Sequence, residues 1–285
     1  MISAPPVQAK TGFRLQGELR LRFEKCPQRH ETVLRERYRR GLFHFGKPYR
    51  ESQRLVLQVL NPTAGLFAHD RMTARIEVGE GASAAVLAPS STQIYAMPEG
   101  GFAESSFDLT VGSGATACYL PRWSVLHAGS RFRQATRIEV ARSANLLFLE
   151  PLSLGRAAHG ERLLFDWFES SLEIRREGRL VVREAWKVGR ELRRWAWQFR
   201  GQQASGLATL YLILPDGFPR FEECEAALRL NPPPNTLCSL TALDEGVYSV
   251  RLLSASNLSL GKILGQLQSF LPASVVFPQT SQRIL

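Results

Sequence analysis

The side chains of this sequence that could do chemistry gather in two short stretches. The first is Asn61-Pro62-Thr63-Ala64-Gly65-Leu66-Phe67-Ala68-His69-Asp70. It follows an apolar run and ends on an imidazole beside a carboxylate, a pair that suits Ni²⁺ or Zn²⁺. Adjacent residues rarely close on one ion unaided, so the competing reading is a long turn in which Asp70 accepts from loop amides. The second stretch is Glu150-Pro151-Leu152-Ser153-Leu154-Gly155-Arg156-Ala157-Ala158-His159-Gly160-Glu161. It opens and closes with a carboxylate and holds Arg156 and His159 between them. Its competing reading is a polar turn with an Arg–Glu ion pair, worth little if exposed.

Nothing else in the chain points to catalysis. There is no phosphate-binding loop, no dinucleotide fingerprint and no nucleophile elbow. His30, His44, His69, His127 and His159 are too scattered for a helical metal motif. An acid–base pair made of Glu150 and Glu161 has no nucleophile or substrate motif behind it. The expectation is therefore a protein that is not an enzyme.

The elements that must position these residues are strands. Val78-Gly79-Glu80-Gly81-Ala82, Val111-Gly112-Ser113-Gly114-Ala115 and Val140-Ala141-Arg142-Ser143-Ala144 each lead into an apolar run ended by proline. The closing alanines are 33 and then 29 residues apart. Self-similarity at this period marks stacked supersecondary units that cannot bury their apolar faces singly. Phe13 to Phe23 alternates as a half-buried strand, Leu42 to Phe45 is a second, and Leu55 to Leu60 reads as a strand buried on both faces. Further strands are expected at Leu163 to Phe168, Leu172 to Ile174, Leu180 to Val182, Trp195 to Phe199, Thr236 to Ala242 and Gly246 to Leu253. Helical spacing occurs at Phe221 to Leu230 and Leu258 to Leu271. In the second, Leu260, Ile263, Leu264, Leu267 and Phe270 share one face, Ser256 or Asn257 can cap the start, and Pro272 follows the end. The expected fold is all-β dominated: a β-solenoid of helically stacked β-hairpins with two α-helices in the C-terminal quarter. Residues 1–285 read as a single domain, with 1–10 disordered.

Composition narrows the partners. The net charge is +10, from 36 basic against 26 acidic residues. Clusters such as Arg35-Glu36-Arg37-Tyr38-Arg39-Arg40 allow a nucleic-acid surface, but Leu19-Arg20-Leu21-Arg22-Phe23 shows arginine alternating with apolar residues, as on the outer face of a strand. The second reading is favoured. Cys26, Cys118, Cys224 and Cys238 form no Cys-x-x-Cys and read as reduced. No basic start precedes an apolar run, and no run approaches a membrane span. A soluble cytoplasmic protein is expected.

Order and spacing of these segments together resemble the UreD (UreH) family of urease accessory proteins. The family signature Asn/His-Pro-x-Gly-Gly, then Gly-Asp, is similar to Asn61 to Asp70. A Thr-x-x-x-x-Lys-x-Tyr-Arg region looks loosely like Ala88 to Tyr95. Gly114-Ala115 to Leu120-Pro121 and His127 to Gln134 look like two later segments, and Arg251-Leu252-Leu253-Ser254 before a helix also fits. The strongest likeness is Glu150, Gly155, Arg156, Gly160 and Glu161. The departures are Ala64, Ala68 and His69 for glycines, Gln93 for lysine, Ala96 for arginine, and a reversed acidic–Arg pair at Arg183-Glu184. The resemblance implies a helically stacked, β-rich, non-enzymatic chaperone. Such a chaperone binds a second accessory protein (UreF-like) and, through it, a nickel-delivery GTPase (UreG-like). It docks on apo-urease and passes nickel in transit through a polar tunnel, with no permanently bound cofactor. It places Asp70, Thr92, Glu150 and Glu161 along or beside that path, with Arg156 and Tyr95 in support; His69, which departs from the family glycine, joins the path candidates through its own imidazole beside Asp70. Leu260, Ile263, Leu264 and Leu267 then form a partner-binding face. The alternatives are a basic nucleic-acid-binding protein, and a scaffold of this kind that has lost metal transfer.

Overall fold

The computed structural model describes residues 14–190, 198–199, 202–272, 275–279 and 281. The expected disorder at 1–10 and most of the strand expected at Trp195 to Phe199 lie outside the described residues. In chain order the first strands are β1 (Gln16–Cys26), β2 (Glu31–Arg40), β3 (His44–Phe45), β4 (Tyr49–Glu51), β5 (Arg54–Leu60), β6 (Arg71–Val78) and β7 (Ser83–Ala88). Then come β8 (Thr92–Ile94), β9 (Ala103–Val111), β10 (Thr116–Pro121), β11 (Ser124–Leu126), β12 (Arg131–Val140) and β13 (Asn145–Ser153). They continue with β14 (Trp167–Arg176), β15 (Arg179–Gly189), β16 (Gln198–Phe199), β17 (Gln202–Gln203) and β18 (Gly206–Ile213). Last are α1 (Phe221–Leu230), β19 (Thr236–Asp244), β20 (Val247–Ser254) and α2 (Ser259–Gln268).

The architecture is a β-solenoid of about four turns. A seven-stranded sheet runs β15-β14-β12-β9-β6-β1-β2, and a larger sheet runs β19-β20-β18-β13-β10-β7-β5-β3. The repeated alanine turns are its corners. Gly81 and Gly114 both take φ +62°, and Ala82, Ala115 and Ala144 donate back to residues 79, 112 and 141 at 3.1 Å. These alanines are at most 1% exposed, stacked where only a small side chain fits. The unit is an arch rather than a hairpin. β6 pairs in parallel with β1 and β9, β7 with β5 and β10, and β6 and β7 lie in different sheets. Each arch thus hands its hydrogen bonds to its neighbours, which is why one alone could not persist. Ordinary antiparallel hairpins occur at the flanks, at β1–β2, β14–β15 and β19–β20.

Alternation explains the burial. Leu19, Leu21 and Phe23 of β1 face the gap between the sheets with Ile76, Leu109, Ile138 and Phe148. The opposite face of the large sheet is covered by both helices and by Val275 and Phe277. α1 has the expected bounds, and α2 is shorter than expected. Leu258 occupies its N-cap position with no side-chain cap; Ser256 Oγ accepts from the Leu258 amide, and Asn257 turns away to donate to Ser153 Oγ. The four cysteines are free. Among the described residues no helix is long and apolar enough to cross a membrane.

Candidate functional site

A polar band interrupts the apolar filling between the sheets. On β12, Gln134 and Thr136 occupy inward positions between Phe132 and Ile138. Parallel register sets Ser105, Gln134, Ser170 and Trp186 side by side, and in the next row Phe107, Thr136, Leu172 and Glu184. Gln134 Nε2 donates to Ser170 Oγ at 3.0 Å. From the large sheet Glu150 crosses the gap, and Thr136 Oγ1 donates to its Oε1 at 2.9 Å. A cavity of about 140 Å³ lies here, with Thr92, Ser105, Gln134, Thr136 and Glu150 among its polar lining.

Burial pushes the Glu150 carboxyl up to about 7, against the Thr136 hydrogen bond, and the negative charge of Glu184 adds to the rise. Burial and then Glu150 raise Tyr119. Glu150 is therefore a carboxylate poised to gain or lose its proton near neutrality.

The other expected site residues do different work. Asp70 is 1% exposed, and both its oxygens are taken: Oδ1 accepts from the Leu15 amide at 2.8 Å and Oδ2 from the Phe67 amide at 2.9 Å. The expectation of a free oxygen ligand here gives way to a clamp that folds its own loop and fastens the start of β1 to it. His69 is exposed and has φ +70°, the left-handed conformation that favours glycine. Its ring instead packs on Gly101, where an added Cβ would lie 2.6 Å from it. Neither Ala64 nor Ala68 has positive φ, so these two departures from glycine need no strain. Gly65 is required, since a Cβ there would fall 2.3 Å from the Gln93 carbonyl oxygen.

Glu161 also lies apart from the cavity. It forms a two-point ion pair with Arg156 and accepts from the Ala128 amide at 3.3 Å. The Arg156 contact, outweighing burial, holds its carboxyl down at about 2. Beside it, Tyr95 stacks on the exposed Phe67 at 4.7 Å and meets His127 edge-on at 4.6 Å, while its hydroxyl donates to the Ala64 carbonyl. Gln93 Oε1 sits 2.8 Å from His127 Nε2, and burial, then Arg156, lowers the His127 pKa. Of the five path candidates, Thr92 and Glu150 alone line the cavity; His69, Asp70 and Glu161 do not.

Leu260, Ile263, Leu264 and Leu267 are between 0% and 5% exposed, packed in one cluster with Val250 and Leu252. These four, expected as a partner-binding face, pack within the chain, an apolar helix face against an apolar sheet face. Sequence reasoning missed Ser105, Thr136 and Tyr211, and gave Gln134, Glu184 and Arg251 no role in an ion path. A detectable signal existed in β12, where two successive inward positions, Gln134 and Thr136, are polar between Phe132 and Ile138.

The fold and the site together define a β-solenoid with a buried carboxylate facing a polar cavity between its sheets. Comparison with known families makes this specific, because residues 15–284 match the UreD urease accessory protein model. The Opitutus terrae urease accessory protein UreD is 32% identical over 258 residues, covering 90% of this chain and 93% of that protein. The one from Alkalilimnicola ehrlichii is 30% identical over 254 residues, covering 88% and 83%. The Anaeromyxobacter counterpart is 39% identical over 124 residues, 44% of this chain and 41% of that protein. The chain belongs to the UreD family of urease accessory proteins.

Proposed function

We propose that this protein is a non-catalytic chaperone of urease maturation, a scaffold that assembles on apo-urease and a conduit for nickel on its way to the urease active site. Its partners in this reading are a UreF-like protein, a UreG-like GTPase reached through it, and urease itself, in the cytoplasm. The observation that supports it best is the inter-sheet cavity, which Thr92 and Glu150 both line although 58 positions separate them. Its polar lining is one carboxylate, several hydroxyls, the Asn61 and Gln134 amides and one guanidinium, Arg122, a set that can attract a divalent ion without the ligand count that would trap it. Among the described residues no group of three or more His, Cys, Asp or Glu could hold a metal, which suits transit rather than storage. Nickel here is cargo.

The nucleic-acid reading is disfavoured by the outer face of the seven-stranded sheet. Arg71, Glu104, Arg133, Glu169 and Lys187 form one register row of alternating sign, with contacts of 2.5, 3.6, 2.9 and 3.3 Å between neighbours. Arg75–Asp108 and Arg183–Glu173, at 3.9 Å, repeat the pattern two rows on, past an uncharged row. Such arginines already face carboxylates across the sheet and are less available to a phosphate backbone. The test is co-expression with the urease subunits and the other accessory proteins. Glu150→Ala is expected to lower urease activation while the accessory complex is still recovered by pull-down. Full activation in that variant would overturn the conduit and leave a scaffold without metal transfer.

A further inference from the structure

The cavity ends at Glu150, but the polar row containing Glu150 does not. Register sets Glu150 beside Thr209 on β18, and Thr209 beside Arg251 on β20. On the opposite sheet Glu184 stands in line with Leu172 and Thr136. Glu184 is on β15, the last strand of its sheet, and Arg251 is on β20, one strand in from the edge strand β19, so the pair stands near the edge of the gap between the sheets. There Arg251 Nη2 donates to Glu184 Oε1, while Trp186 Nε1 donates to Glu184 Oε2 at 3.2 Å. The Glu184 side chain is 12% exposed and that of Arg251 45%. Further along, Arg179 and Asp244 tie β15 to β19 at 2.7 Å.

An independent observation marks the space inside this pair. Tyr211 has no exposed surface, and its hydroxyl lacks a partner at hydrogen-bond geometry. Burial, and then the charges of Glu150 and Glu184, hold its proton on. Two carboxylates thus act on one buried hydroxyl, with Glu184 within its reach as an acceptor, and a cation is already seated on that outer carboxylate: the guanidinium of Arg251.

We propose that the Arg251–Glu184 ion pair is a gate near the edge of the sandwich, with the Arg251 guanidinium holding on Glu184 the place that a divalent cation takes as it passes between Glu150 and the outside. The inference rests on the conduit reading. Arginine suits the role because it does not deprotonate, and its long exposed stem lets the head swing away. While it is seated, the outer carboxylate is neutralised and the gap holds no surplus charge to trap an ion. When a dication arrives, one cation replaces another and no carboxylate is left buried without a counter-charge.

The test titrates the full-length chain with Ni²⁺ alone, at fixed pH and ionic strength, by calorimetry. The wild type is expected to bind weakly. Arg251→Gln removes the tethered cation and should tighten Ni²⁺ binding by roughly tenfold, the order expected when one close positive charge leaves a partly screened site. Adding Glu184→Gln to that variant should cancel the gain, and Arg251→Lys should bind as the wild type does. Should Arg251→Gln fail to fold, Glu184→Asp loosens the same pair by shortening the carboxylate arm and should also tighten binding. Unchanged affinity in both Arg251→Gln and Glu184→Asp would overturn the gate. So would a gain that survives Glu184→Gln. The conduit fails separately, when Glu150→Ala leaves urease activation intact whatever the Arg251 variants do.

Discussion

Thr136 and Glu150 join the two sheets by a single hydrogen bond of 2.9 Å, from a hydroxyl on β12 to a carboxylate on β13. That bond is the main local compensation for burying the Glu150 charge, and it does not suffice. The carboxyl rises from 4.5 to about 7.

The pH dependence of stability follows from that rise. Below about pH 4.5 Glu150 is protonated in both the folded and the unfolded chain, and it contributes nothing to the slope. Between about 4.5 and about 7 the unfolded chain releases the proton while the folded chain keeps it, so stability falls as pH rises. Glu150→Gln keeps a side chain of similar shape and an acceptor for Thr136. It should remove this slope and raise stability at pH 8 by about 2–3 kcal/mol. Urea titrations of both proteins at pH 5 and pH 8 check it. An equal difference at the two pH values would contradict the assignment.

Glu161 carries the opposite sign. Its folded-state pKa is depressed, chiefly by Arg156, so its stabilisation is present above about pH 4.5 and is lost as pH falls toward about 2. Because the pair is partly exposed, with side chains 38% and 18% accessible, solvent screening keeps the effect small. Glu161→Gln should lower the melting temperature slightly at pH 7, and the difference from wild type should shrink as pH falls from about 4.5 toward about 2.

Asp70→Ala should be a folding variant, unlike Glu150→Ala. Removing the carboxylate leaves the Leu15 and Phe67 amides without acceptors. At about 1–3 kcal/mol for each stranded donor, the loss should be visible in thermal melting and should reduce urease activation only together with the amount of folded protein. Full stability in Asp70→Ala would remove the clamp.

The helix face offers a third contrast. Leu264 is 5% exposed among Val250, Leu252 and Leu260. Leu264→Ala should cost about 2–5 kcal/mol, and Leu264→Asp should give insoluble chain. If Leu264→Asp stays soluble and loses a partner, the face is an interface after all.

The basic surface can be probed with duplex DNA at rising salt. Binding at physiological ionic strength should be absent or weak, because the outer-face arginines already have carboxylate neighbours.

Much of the fold could be read from the residues, for reasons the structure makes plain. α1 and α2 were visible because their buried positions recur at helical spacing. The solenoid was visible because each corner needs the same small residues, so the turns repeat. Whether a turn closes a hairpin or an arch was hidden, because Val-Gly-x-Gly-Ala describes the corner and not the partner of each strand. β2 was read as a charge cluster because an edge strand can be largely polar and needs few apolar residues. β18 was missed because it is apolar at nearly every position, and such a run has no period to detect. Thr92 and Glu150 were recognised through motif likeness, and their place on one cavity depends on intervening coils. Asp70 and Glu161 have the same chemistry as Glu150, yet nearby amides or an arginine claim them first. Composition cannot distinguish a carboxylate that faces a cavity from one already spoken for.

The alternating row on the outer face has one more consequence. Glu104 serves the arginines on both sides of it, and Glu169 an arginine and a lysine. Losing one member weakens two contacts but leaves no neighbour facing a like charge. Losing or duplicating a whole coil is different. Deleting the strand that carries Glu104 would set Arg71 against Arg133, and duplicating it would set two glutamates side by side. The row therefore acts as a parity check on the number of coils, so a family built this way should vary in length at its loops rather than by gaining or losing one coil.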